Sequence, residues 1–241
     1  MPADPSFMAT FPGLILLGAL LNLDKQACGP FMLGRPLVTG LVLGLASGEV
    51  RFGIWLGLSA ELLWLAVLPL GGQLTPHASL AVSAAFIAWV KSGLAAPPAP
   101  EPTGEALKAT LVIAFLTVPV WAKVMGLIDL GGRRLVPGVL ARTRAALAEG
   151  REPHFLRRNL GGLAITLVLS IAVLTLAAFL NLQFLRVVAS FTPQALFLNL
   201  GFIFHLLPFA GLLGVAVFLD SKAFPFYLGG LAASLLALSA V

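Results

Sequence analysis

Seven ionisable side chains fall between Leu23 and Leu80 in sequence that is otherwise almost wholly apolar: Asp24, Lys25, Arg35, Glu49, Arg51, Glu61 and His77. A charge at the centre of a bilayer costs about 2.5–3.5 kcal/mol on insertion scales, so such groups persist where they line a polar path or pair with one another. Glu61 is the sharpest case. It stands midway in FGIWLGLSAELLWLAVLPL (Phe52 to Leu70), a stretch long enough to cross a membrane and free of any other charge. Asp24 and Gln26 close the first apolar segment as Asp24-Lys25-Gln26. Carboxylates and amides of this kind hydrogen-bond the hydroxyls of a polyol when they are set among apolar surfaces.

Each of these residues has a plainer reading. Asp24 and Lys25 serve equally as an interfacial charge pair. Arg35-Pro36 reads as a helix start, with proline at the first helical position and the arginine reaching to the interface. Glu49 and Arg51 bracket a tight turn at the membrane surface. His77 and His205 are ordinary buried hydrogen-bonding groups. Glu61 lacks such a reading, because a structural carboxylate at that depth requires a buried partner. Gly40, Gly44 and Gly48 recur at every fourth residue, as do Gly53 and Gly57. Small faces of this kind let helices approach closely, which is packing and not chemistry.

No pair of histidines, cysteines or carboxylates has metal-ligand spacing, so neither a metal nor another cofactor is expected. The chain carries no phosphate-binding glycine loop and no nucleophile motif. It reads as a non-enzyme.

The elements that must position these residues follow from composition. Of the 241 residues 59% are hydrophobic and 10% charged, against roughly 45–50% and about 25% in soluble domains. With a mean hydropathy of +1.00, the expected class is an all-α polytopic membrane protein, in contact with lipid along its length. A nucleic-acid partner is not expected, despite a net charge of +5. The single Cys28 forms no internal disulfide, and MPADPSFMATFPG lacks the basic start of a cleaved signal.

Apolar segments run from Phe11 to Leu23, Pro36 to Ala46, Phe52 to Leu70, Ser79 to Val90, Thr110 to Ile128, Gly161 to Leu180, Ala195 to Leu219 and Phe224 to Val241. The first, second and fourth are too short to cross about 30 Å of hydrocarbon. They predict broken or re-entrant helices in the N-terminal half, where protein or a water-filled cavity must satisfy the backbone. Residues 1–90 thus form a polar-studded membrane region, 91–108 a Pro-rich linker, and 109–241 a second membrane region.

Seven of the fifteen basic residues lie in one segment, 129–160. The positive-inside rule places it in the cytoplasm. Within it Leu135, Val136, Val139, Leu140, Thr143 and Leu147 follow helical spacing, predicting an amphipathic helix for the membrane surface or for docking a soluble partner.

The order of elements from Leu20 to Ala81 resembles a known family. Asp24 and Gln26 precede Arg35-Pro36-Leu37. A Gly48-Glu49 turn leads to Leu-rich sequence around Glu61, then to Pro69-Leu70-Gly71-Gly72, with Pro76 opening a small-residue segment. This pattern is similar to the IIC component of the mannose–fructose–sorbose group of bacterial phosphotransferase systems. The FPFYLGGLAAS stretch (Phe224 to Ser234) resembles that family more loosely. The chain departs from the pattern at Gly34 and Phe31, where relatives carry polar residues, and at His77, where they commonly carry Asp.

The resemblance implies a multi-pass protein of the bacterial cytoplasmic membrane, paired with a IID membrane subunit in a higher oligomer. It implies a hexose bound and carried inward, then phosphorylated by a soluble IIB domain charged by IIA. Asp24, Gln26 and Glu61 would contact sugar, Arg35 would form an ion pair that shapes the site, and His77 would be a further contact. Two readings from other classes stand beside it. One is an ion-coupled secondary transporter with Glu61 as a proton relay; the other is a non-transporting scaffold or sensor built on the same fold.

Overall fold

The computed structural model describes residues 10–24, 31–64, 77–92, 104–150, 155–191 and 203–206. Among these, the extended regular structure is entirely α-helix: α1 (Phe11–Leu23), α2 (Pro36–Ser47), α3 (Val50–Trp64), α4 (Ala78–Ser92), α5 (Gly104–Ala148) and α6 (Phe155–Phe191). The chain is an all-α membrane protein. The expected segments from Ala195 onward lie outside the described residues except for 203–206, and Phe224–Ser234 lies wholly outside them.

The N-terminal helices begin and end where local chemistry dictates. Thr10 caps α1, its hydroxyl accepting from Gly13 N at 3.3 Å. Pro36 is the first residue of α2, as the Arg35-Pro36 pair predicts, and Gly48 ends α2 in the left-handed region at φ 85°. A Cβ is disfavoured there, so glycine stops the helix and lets Glu49 lead directly into α3. Burial in this turn pushes the Glu49 carboxyl above its ordinary value of 4.5. Helices α1, α2 and α4 contain 13, 12 and 15 residues. At about 1.5 Å per residue none crosses a bilayer alone, as their apolar segments predict.

The two glycine faces meet each other. A Cβ on Gly40 would fall on the Gly53 carbonyl oxygen, and one on Gly53 would fall on that of Gly40. A Cβ on Gly57 would lie 2.6 Å from the Pro36 carbonyl oxygen, and one on Gly44 would lie 2.9 Å from Val50 Cα. Helices α2 and α3 therefore form a hairpin with their backbones in direct contact, which dispersion between close-packed atoms stabilises in lipid.

Among the described helices, α4 is the central one. It touches all five other helices, and every residue from Ser79 to Trp89 is buried. A helix apolar all round must be wrapped on all sides. Trp89 stacks on Phe52 of α3 with ring centroids 3.5 Å apart and planes 4° apart, and Phe86 packs on the same ring at 5.9 Å.

Among the described residues, two helices are long and apolar enough to span a membrane, over Leu107–Gly126 of α5 and Leu160–Val188 of α6. The first is 67% buried inside the protein and the second 22%, so α6 is peripheral. Its Val168, Leu176, Phe179 and Phe184 are exposed, which suits contact with lipid. Helix α4 runs through Ser92 and α5 starts at Gly104, so both ends of the expected 91–108 segment are helical, and 93–103 lie outside the described residues. The basic segment 129–160 is likewise helical over most of its length. Gly131, Gly132 and Pro137 lie within α5 and do not end it, although its interior prolines Pro119 and Pro137 each remove a helical hydrogen bond. The sequence predicts an amphipathic helix here, and the helix is a continuation of the preceding span.

Candidate functional site

Asp24 is the first residue beyond α1 and is buried. One carboxylate oxygen accepts from Phe31 N at 2.9 Å and the other from Gly34 N at 3.1 Å. The 31–35 segment is further closed by Arg35 N donating to the Met32 carbonyl at 3.2 Å. Met32 adopts φ 63°, a left-handed conformation that costs a residue with a side chain about 1–2 kcal/mol. Asp24 offsets that cost by satisfying two main-chain amides with a charged acceptor. The departures at Phe31 and Gly34 leave this arrangement intact, because Asp24 reads their backbone and not their side chains.

Arg35 and Glu61 meet across the open end of the α2–α3 hairpin, Arg35 Nη1 donating to Glu61 Oε1 at 2.6 Å. The second Glu61 oxygen accepts from Leu37 N at 3.4 Å. That amide belongs to the first turn of α2, whose N–H groups have no partner within the helix and carry partial positive charge. Both Glu61 oxygens thus have a partner, the half-exposed Arg35 guanidinium and the part-buried Leu37 amide, and Glu61 is not the lone carboxylate of the apolar run. Its side chain is 17% exposed against 51% for Arg35. The expected ion pair at Arg35 is present, with a partner that the sequence alone leaves unnamed.

His77 immediately precedes α4 and is fully enclosed, 1% exposed. Its backbone N–H donates to the Ala122 carbonyl of α5 at 3.2 Å. Its ring Nδ1 lies 3.4 Å from Asn22 Oδ1. Asn22 also accepts from Ser79 Oγ at 3.4 Å and donates from Nδ2 to Ser170 Oγ of α6 at 3.1 Å. Asn22, Ser79 and Ser170 were not singled out by residue type. The available signal was an amide inside the apolar α1, two residues ahead of Asp24. Gln26 lies outside the described residues.

Four of the expected site residues are therefore linked. Asp24 holds the 31–34 main chain, the next residue is Arg35, and Arg35 holds Glu61. His77 reaches the same end of α1 through Asn22. Hydrogen-bonding capacity remains at this junction. Each carboxylate has about four acceptor positions and uses two in these contacts, while Arg35 retains donors and is half exposed.

These features define an all-helical membrane protein with a hydrogen-bonding site built at broken helix ends. The family model described as PTS system sorbose-specific IIC component matches residues 11–240. The chain belongs to that family, the sugar-specific membrane permease component of phosphotransferase systems, which is a transport subunit. Comparison with curated proteins gives no match.

Proposed function

We propose that this chain binds a hexose where the end of α1 meets the mouth of the α2–α3 hairpin and carries it inward for phosphorylation by a partner IIB. The observation that carries the reading is the convergence of Asp24, Arg35 and Glu61 on residues 31–37. Asp24, Gln26 and Glu61 accept hydrogen bonds from sugar hydroxyls, and Arg35 holds Glu61 in place while offering its remaining donors. The phosphoryl group travels from IIA to IIB and then to the sugar, so this chain needs binding and translocation but no covalent chemistry of its own. Phosphorylation makes import one-way because the charged product cannot return through an apolar barrier.

The chain works beside a IID subunit in a multi-pass complex of the bacterial cytoplasmic membrane. Residues 1–90 carry the sugar site, and the arginine-rich segment 129–160 lies on the cytoplasmic side. The short α1, α2 and α4 enter the bilayer without crossing it alone, and neighbouring helices cover their ends.

Uptake of labelled hexoses by cells expressing the whole locus tests the reading. Uptake should require phosphoenolpyruvate and yield sugar phosphate. Accumulation of unmodified sugar driven by a proton gradient would instead identify a secondary transporter, and absence of any uptake by an assembled complex would favour a scaffold or sensor.

A further inference from the structure

The Asn22 side chain sits at a crossing of three helices whose register repeats at four-residue steps. One turn earlier on α1, a Cβ on Gly18 would meet Ser83 Oγ of α4 at 2.9 Å and Leu174 Cδ2 of α6 at 3.0 Å. At Asn22 the facing residues are Ser79 of α4 and Ser170 of α6. Moving four residues forward on α1 thus moves four residues back on both partners. Helix α1 runs antiparallel to α4 and α6 along one tight seam. Gly18 allows the close approach, and Asn22 supplies the polar contact that distinguishes this register from its neighbours. All four polar members are enclosed: Asn22, His77 and Ser79 at 1% exposure and Ser170 at 4%.

We infer that Asn22 is a positioning residue for the sugar site, and that His77 acts with it and is not a sugar ligand. The inference rests on the reading of Asp24 as a sugar contact and adds what places that carboxylate. Asn22 has one acceptor oxygen and one NH2 group. The NH2 donates to Ser170, so the oxygen accepts from Ser79 Oγ and from His77 Nδ1–H. That arrangement requires a hydrogen on Nδ1 of the ring. A slip of α1 by one residue would leave the Asn22 amide, Ser79 and Ser170 buried without these partners. A polar group stranded in a buried site costs more than the bond itself contributes. Asp24 lies two residues beyond Asn22, so the same lock sets where its carboxylate stands and where the 31–34 main chain is held. Through Ser170, the sugar-site end of α1 is tied directly to the long peripheral span.

Two side chains discriminate the roles of His77. The asparagine amide nitrogen falls close to the place of Nδ1, and the glutamine amide nitrogen close to that of Nε2. His77→Asn should keep the bond to Asn22, whereas His77→Gln should lose it. The readout is a spin label at Leu33, which is exposed on the loop that Asp24 holds, in a Cys28→Ser background of the full chain in its membrane complex. A second label at the exposed Leu116 of α5 serves as the reference. Asn22→Ala, the milder Ser170→Ala and His77→Gln should each loosen the Leu33 label while leaving the Leu116 label unchanged. His77→Asn should leave both labels as they are. In sugar titrations, Asn22→Ala should weaken binding about tenfold and add nothing further in the presence of Asp24→Asn, because it acts through Asp24. A Leu33 label equally ordered in Asn22→Ala and Ser170→Ala would overturn the inference, as would equal loosening in His77→Asn and His77→Gln. A wild-type complex that binds no sugar would remove the transport reading, while the label experiment would still decide the lock.

Discussion

Arg35 and Glu61, separated by 26 positions, close the open end of the α2–α3 hairpin through an ion pair of 2.6 Å. The same carboxylate accepts from Leu37 N in the first turn of α2. Glu61 therefore does structural work whether or not sugar is present. Glu61→Ala should destabilise the complex by about 1–3 kcal/mol, and more than Arg35→Ala, because the carboxylate is the more enclosed partner. Glu61→Gln should recover much of the loss by accepting from Leu37 N. Thermal unfolding in detergent measures the order; equal melting of Glu61→Ala and wild type would contradict the assigned contacts.

The glycines predict a graded series. Gly40→Ala and Gly53→Ala each place a methyl on the opposing carbonyl oxygen, so either should separate α2 from α3 and sharply lower the yield of assembled protein. Gly48→Ala meets nothing within 4 Å but holds φ +85°, so it should cost only about 1–2 kcal/mol. Gly162→Ala meets nothing within 4 Å in the helical α6 and should be neutral or slightly stabilising. Expression and melting of the four variants would test the ranking.

Burial raises the Glu49 carboxyl above 4.5, and the sign of its effect follows. The folded state takes up this proton more readily than the unfolded state. Its stabilising contribution is complete below the unfolded value and is lost as pH rises through the raised folded value. Melting temperature measured across that window should therefore fall less in Glu49→Gln than in wild type. Parallel curves would show that the turn places no such demand on Glu49.

The continuation of α5 into the basic segment carries a topological prediction. A cysteine replacing the exposed Ala148, in a Cys28→Ser background, should react with an impermeant thiol reagent only once the cytoplasmic side is opened. Labelling from outside intact cells would reverse the orientation of α5 and α6.

Much of the helical framework was legible because its signals are local. Phe11–Leu23 coincides with its apolar segment, Pro36 opens α2, and the four-residue glycine spacing marks close-packed faces at Gly40, Gly44, Gly53 and Gly57, whereas Gly48 ends α2 and meets nothing. The site was legible only as a set of residue types. The pairing of Arg35 with Glu61 depends on a hairpin whose register no local pattern reports. Asp24 acts on backbone amides, which have no sequence signature. The Asn22 contacts join uncharged residues up to 148 positions apart, and serine in an apolar helix is too common to stand out. The central place of α4 was hidden for a related reason: a short apolar segment reads alike whether it faces lipid or other helices.

The central claim is that a sugar binds beside Asp24 and Glu61 at the broken end of α1. The most direct measurement is hexose binding to the purified complex by titration calorimetry, comparing wild type with Asp24→Asn and Glu61→Gln after each variant is shown to assemble. The account predicts saturable binding by wild type, weakened about tenfold or more in Asp24→Asn, whose NH2 cannot accept from one of the two loop amides that Asp24 holds, and less severely in Glu61→Gln, whose oxygen still accepts from Leu37 N. Wild-type affinity in both variants would contradict it.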